Sequence, residues 1–211
     1  MKVIVTQEEI DKIFDFYQTV SKLKNIERTG WNYWGLSGVR VESVAEHSFC
    51  CCVLAVSILS IKDFGIDVNK VIAMLMLHDF EESVMGDITY FDKAFLKKEQ
   101  LAEYANKFLF YERENGTCFL DLIKEFNENK TKEALFARQI DKFQSDLEAF
   151  YYDEHFDLSK AEEKVLNDKQ IIEFKEQGFS KVSQFFLQHD KKVFDKFFLQ
   201  LVEKLEKMEE E

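Results

Sequence analysis

Apolar residues recur at helical spacing along most of this chain and nowhere alternate convincingly with polar ones. Ile10, Ile13, Phe14, Tyr17, Val20 and Leu23 fall on one side of a helix predicted over residues 7–26. Thr6 followed by Glu9 supplies a capping box at its start. A loop over 27–42 holds three of the glycines, Gly30, Gly35 and Gly38. Two segments, 43–63 and 68–85, are apolar nearly all round. Such helices must be buried, so both are expected at the centre. Further helices are predicted over 92–113, 118–128 and 131–153, followed by a charged, Phe-rich helical tail over 160–176 and 180–209. The fold class is all-α. Proline is absent, and there is no repeat, linker or shift in composition, so residues 1–211 read as a single-domain helical bundle.

The polar interruptions of this pattern carry the candidate chemistry. The helix VIAMLML ends abruptly on His78-Asp79, with Glu82 one turn further on the same face. Burying those groups without a partner costs several kcal/mol, about 2–7 for each polar group, and a metal is an efficient partner. His47 lies near the start of the other apolar helix, after Glu42, Ser43 and Glu46, where acidic groups complement the helix dipole. Two imidazoles and two carboxylates suit a divalent transition metal and cancel its charge. The second carboxylate has rivals on composition. Asp141, Asp146 and Glu148 share one helix; Asp141 sits between Ile140 and Phe143, near the core face, and the other two look solvated. Cys51 is one turn from His47 and could add a thiolate, although a free cysteine in a buried helix ordinarily serves as a small apolar residue.

Charge narrows the partners. The formal net charge is −12, which argues against a nucleic-acid polymer and against an anionic membrane surface. A small anionic substrate remains compatible, because a metal and one or two arginines make a local positive site. The N-terminal residues lack the features of a secretory leader, and the longest uncharged apolar stretch, 48–61, reads as too short to span a bilayer. Three consecutive cysteines, 50–52, do not suit a disulfide framework, and a reducing cytoplasm is expected.

The order His47…His78-Asp79…Asp141 resembles the H…HD…D signature of the HD-domain metal-dependent phosphohydrolases. The blocks Arg28-Thr29-Gly30-Trp31, Val39 to His47 and His78 to Ile88 are similar in order and spacing to the 5′-deoxynucleotidase branch of that family, over about residues 20–150. The resemblance implies one divalent metal, such as Mn, Co or Fe, held by His47, His78, Asp79 and Asp141. It implies that Glu82 and Asp87 position or activate the attacking water and assist the leaving group, and that Arg28 and Arg40 hold the phosphate. A loop tryptophan would lie against the sugar; Trp31 is the candidate, with Trp34 also in the loop. The implied activity is hydrolysis of deoxynucleoside 5′-monophosphates, and the implied assembly is a homodimer. Another small phosphate ester on the same site, or a non-catalytic metal- or nucleotide-binding role, are the competing readings. The tail, about 160–211, is expected to pack on the body, with KLEKMEEE as a frayed end.

Overall fold

A computed structural model describes residues 4–92 and 97–209. Twelve α-helices are found among them, with no strand; the only pairings of extended backbone there are isolated bridges, Glu27 with Ser43 and Leu36 with Phe156. Three helices form the centre: α3 (Val44–Ile61), α4 (Val68–Leu77) and α8 (Lys132–Tyr152), each packed on the other two. Small residues at the crossings, Cys51 and Ala55 of α3 and Ala134 and Ala137 of α8, let the axes approach. Val71, Met74, Leu75 and Ile140 fill the space between them.

The predicted apolar segments hold as helices, but their burial is uneven. α3 begins where the sequence placed it, because Ser43 and Glu46 close a capping box. It spans 18 residues with one charge, so its length and composition are sufficient to cross a membrane, which corrects the shorter estimate from 48–61. Its inner face nevertheless packs on α4 and α8. Its outer face leaves Phe49, Val53 and Val56 more than half exposed, so a helix apolar all round is not wholly buried here. The segment 68–85 divides: α4 ends at Leu77, and a short α5 (Glu82–Met85) resumes after the His-Asp pair.

The N-terminal helix α1 (Gln7–Val20) carries the expected capping box and passes into a 3-10 turn over Ser21–Asn25. Its predicted face is corrected in part: Ile13, Phe14 and Tyr17 are exposed and Phe16 packs instead, against Phe80 and Phe110, while Val20 packs and Leu23 is buried as expected. The expected loop 27–42 contains a short helix, α2 (Thr29–Tyr33). α6 covers Lys98–Leu109, and residues 93–96 of the segment predicted over 92–113 lie outside the described residues. α7 (Gly116–Glu128) closes on α4 and α8.

The tail is more broken than its periodicity suggested. It forms α9 (Glu163–Leu166), α10 (Lys169–Glu176), α11 (Val182–Asp190) and α12 (Lys196–Glu209), and both α11 and α12 pack on α8. Phe198, Val202 and Leu205 of α12 join the central core, so the tail and the three central helices share one apolar interior. The end of KLEKMEEE is helical to residue 209; Glu210 and Glu211 lie outside the described residues.

This packing corrects the reading of Asp146 as solvated. Covered by α11, it is 0% exposed, and neither carboxylate oxygen has a hydrogen-bond partner among the described residues. Burial pushes its pKa well above the carboxylate range; Asp190 of α11 adds to this and Lys142 opposes it. Folded protein therefore retains a proton here that the unfolded chain has lost. The associated stability is complete below the ordinary carboxylate pKa of about 3.9 and drains away as pH rises towards the folded value. Asp146→Asn is expected to raise stability at pH 8 by about 1 kcal/mol, a Tm increase of about 2–4 °C for a chain of this length. Thermal melts at pH 8 and pH 4 check this, with the gain expected only at the higher pH.

Candidate metal centre

Each central helix brings one part of a single polar cluster into the apolar interior. His47 stands in the first turn of α3 and is 0% exposed. His78 ends α4, and its Nδ1 lies 2.7 Å from the carbonyl oxygen of Leu75 in the last turn. Such carbonyls lack a helical partner, so the ring donates to one of them. Nδ1 of His47 lies against Oε1 of Gln144 on α8. A carbonyl and an amide oxygen can only accept, so each ring carries a proton on Nδ1, which leaves Nε2 as the nitrogen available to a cation.

Those two nitrogens converge, 3.3 Å apart. Asp141 Oδ1 lies 3.2 Å from Nε2 of His47 and 3.7 Å from Nε2 of His78. Asp79 Oδ2 lies 3.1 Å and 3.8 Å from Nε2 of His78 and His47, respectively. Four acceptors facing one another repel unless a positive charge lies between them. Donors held about 2.1 Å from a shared cation lie roughly 3 Å apart when at right angles, so these separations fit one ion. Asp79 Oδ2 is itself buried without a hydrogen-bond partner among the described residues. Electrostatics agree: burial pulls the His78 pKa down, yet Asp79 and Asp141 outweigh it and raise the pKa well above the ordinary value. The cluster attracts positive charge and can hold a metal ion.

Cys51 also comes within reach of the donors, in a group with His47, His78 and Asp141. Its sulfur is nearly equidistant from Nδ1 (3.9 Å) and Nε2 (3.7 Å) of His47, and so lies off the Nε2 lone-pair axis. Burial, with a further contribution from Asp141, pushes the thiol well up in pKa, as expected of a packing residue.

A relay of hydrogen bonds stands behind His47. Gln144 Nε2 donates to Glu42 Oε2 (3.4 Å), and Trp31 Nε1 donates to Glu42 Oε1 (3.0 Å). Groups of this kind fix the orientation of a ligating imidazole, and their loss typically weakens metal affinity about 10- to 100-fold. Gln144→Leu is expected to weaken metal binding by that factor while the protein stays folded. Calorimetric titration of chelated protein with Mn, beside a thermal melt, checks it.

Asp79 and Asp141 line a cavity of about 330 Å³. Arg28 stands at its wall, with Nη1 3.6 Å from Asp79 Oδ2 and Nη2 donating to Ser145 Oγ at 3.4 Å. Glu82 and Asp87 also line it. Burial, then the charges of Asp79 and Asp87, push the Glu82 pKa well up, against Lys98 and Arg28. Asp87 Oδ2 accepts from the backbone N–H of Thr29 at 2.7 Å, which ties the Arg-Thr-Gly-Trp loop to the Gly-Asp turn. Trp31 reaches the cavity but is 3% exposed, its ring packed on Tyr152 and Phe186. Trp34 also lines the wall and stacks on Phe185 of the tail.

Arg40 is not brought to the cavity, which corrects its expected place at the phosphate. Its side chain is 73% exposed, and Nη1 pairs with Glu46 Oε2 at 2.8 Å, so it supports the capping box of α3. The cavity instead gains Lys98, Arg138 and Lys142, together with Phe186 from the tail. None of these was singled out in the sequence, where they look like ordinary members of charged or Phe-rich helical faces. Arg138 lies one turn before Asp141, and that spacing was the available signal.

The HD-domain family profile matches residues 20–183. The chain belongs to the HD-domain family. Among curated proteins, this HD domain is 32% identical over 150 residues to the 5′-deoxynucleotidase HDDC2 of Dictyostelium discoideum, covering 66% of this chain and 76% of that protein. It is 28% identical over 155 residues to the 5′-deoxynucleotidase hdd1 of Schizosaccharomyces pombe, covering 70% and 76%. Among solved structures, a predicted metal-dependent phosphohydrolase from Magnetospirillum magnetotacticum superposes with a TM-score of 0.66 at 22% identity over 94% of each chain. A conserved hypothetical protein from Pyrococcus furiosus gives 0.65 at 23%, over 92% of this chain and 99% of that one. The two structures share the HD fold.

Proposed function

We propose that this HD domain hydrolyses deoxynucleoside 5′-monophosphates to a deoxynucleoside and phosphate. One observation carries the reading: Asp79 and Asp141, whose oxygens converge with Nε2 of His78 and His47, line a cavity that combines cations with aromatic rings. Arg28 and Arg138 offer positive charge to a phosphate, and Trp31, Trp34 and Phe186 give the cavity an apolar aromatic wall for a nucleoside. The curated relatives bearing the 5′-deoxynucleotidase name support the same substrate class.

His47, His78, Asp79 and Asp141 would hold one divalent cation, with Mn, Co or Fe favoured by mixed imidazole and carboxylate donors. A cation held there supplies positive charge to the phosphoryl oxygens and makes water more acidic. Arg28 binds the phosphate through its forked donors. Glu82 accepts the proton of the attacking water, and Asp87 assists departure of the sugar oxygen. Trp31 supports the sugar from the cavity wall.

The same reading takes the chain as one HD domain with its tail packed on the core, acting on a small nucleotide rather than on a nucleic-acid polymer or a membrane. The net charge of −12 supports this. Four free cysteines support a reducing cytoplasm. The exposed stripe Phe49, Val53 and Val56 on α3 supports a homodimer. Phosphate release from a panel of deoxy- and ribonucleoside 5′-monophosphates tests the substrate. Metal-dependent release, faster from the deoxy series, is expected; equal rates on both would remove the sugar specificity, and release only from other esters would overturn the reading.

A further inference from the structure

We propose that Lys98 is a positioning residue for this reaction, holding Glu82 and the turn that carries Asp87 in one fixed arrangement. The inference rests on the deoxynucleotidase reading of the site.

Glu82 and Asp87 belong to different pieces of backbone. Glu82 opens α5, and Asp87 follows the Gly86 turn that ends it. Something must fix one against the other, because both have to meet the same substrate. Asp87 is anchored on one side by the backbone N–H of Thr29. Glu82 is 1% exposed, and its Oε2 has no hydrogen-bond partner among the described residues. Its other oxygen, Oε1, lies 3.3 Å from Nζ of Lys98, the first residue of α6. The same ammonium donates to the carbonyl oxygen of Ile88 at 2.6 Å, one residue beyond Asp87.

A lysine ammonium carries three donors on a compact charge, so it can bind a carboxylate and a carbonyl together. One side chain thus spans from the Glu82 carboxylate to the backbone of the Gly-Asp turn. The pair is poorly screened, with side-chain exposures of 24% for Lys98 and 2% for Glu82. Without Lys98, Glu82 would keep the acidic neighbours Asp79 and Asp87 and lose the cation bound to it, with only the charge of Arg28 left to oppose them. The carboxylate would turn away or the turn would shift. Lys98 also lines a second, adjoining cavity of about 780 Å³ that reaches His78 and Asp79 from the α6–α7 side, so a direct grip on phosphate is the alternative to exclude.

Positioning and grip differ in their kinetics. A displaced acid–base group slows chemistry, whereas a lost phosphate contact weakens substrate binding. For Lys98→Met, kcat is expected to fall about 10- to 100-fold, with KM within about twofold of wild type. Metal content and Tm should remain those of wild type. Lys98→Arg should recover most of kcat, because its guanidinium can reach both acceptors. A raised KM with kcat preserved would overturn the proposal in favour of a substrate contact. Unchanged kinetics would overturn it outright, as would loss of metal or of stability in Lys98→Met without recovery in Lys98→Arg. Wild-type protein assayed in parallel separates the failures. Turnover by wild type with an unaffected variant removes only the role of Lys98; wild-type inactivity on every nucleotide removes the deoxynucleotidase reading and this inference with it.

Discussion

Glu82→Gln is expected to lower kcat by about 10²- to 10⁴-fold while the protein keeps its metal. The separation of the two effects follows from geometry. The donors that converge are Nε2 of His47 and His78 and one oxygen each of Asp79 and Asp141. Glu82 stands apart from them, tied to Lys98 on one oxygen and without a hydrogen-bond partner among the described residues on the other. Glutamine keeps the size and the buried fit but cannot take a proton. Metal content measured beside steady-state kinetics decides the matter. A variant that is inactive because it has lost its metal would make Glu82 a ligand. One that retains full activity would remove it from the mechanism.

Asp141→Asn is expected to abolish turnover by the opposite route. It removes half of the negative charge that balances a divalent cation and leaves two imidazoles and Asp79 facing one another. Metal affinity should fall at least about 100-fold. In wild type, metal at 100 times its Kd stabilises the fold by about 2.7 kcal/mol, equivalent to about 5–10 °C in Tm for a chain of this size. That rise on adding Mn should be absent from the variant. An undiminished rise would mean that the ion is held elsewhere.

The sequence made parts of this site legible for a physical reason. His47 and His78-Asp79 stand out because they interrupt helices that are otherwise apolar, and a polar group there requires a partner. The class of fold was legible for a related reason: helical spacing without alternation leaves little room for strands. The expected roles of Glu82 and Asp87 came from the resemblance, and the cavity assembles both beside Arg28.

What depended on tertiary packing was not legible. Asp141 was placed near the core face by Ile140 and Phe143 and among the ligands by the resemblance, but Asp146 on the same helix looked solvated, and the docking of α11 buries it. The resemblance implied Arg40 at the phosphate, yet its side chain pairs with Glu46, six residues on, at the outside. Ile13, Phe14 and Tyr17 on α1 looked like part of a core face and stand in solvent. Lys98 and Arg138 sit in charged helices whose lysines and arginines ordinarily face water. Their turn towards the cavity is set by the packing of α6 and α8, not by local spacing.

The central claim is that one cation at the four converging donors makes this HD domain a phosphomonoesterase. Titrating chelated protein with Mn while following both bound metal and phosphate release from a deoxynucleoside 5′-monophosphate tests it most directly. Activity should rise in proportion to occupancy and level off at one ion per chain. Full activity without metal, or activity that rises only after one ion per chain is already bound, would contradict it.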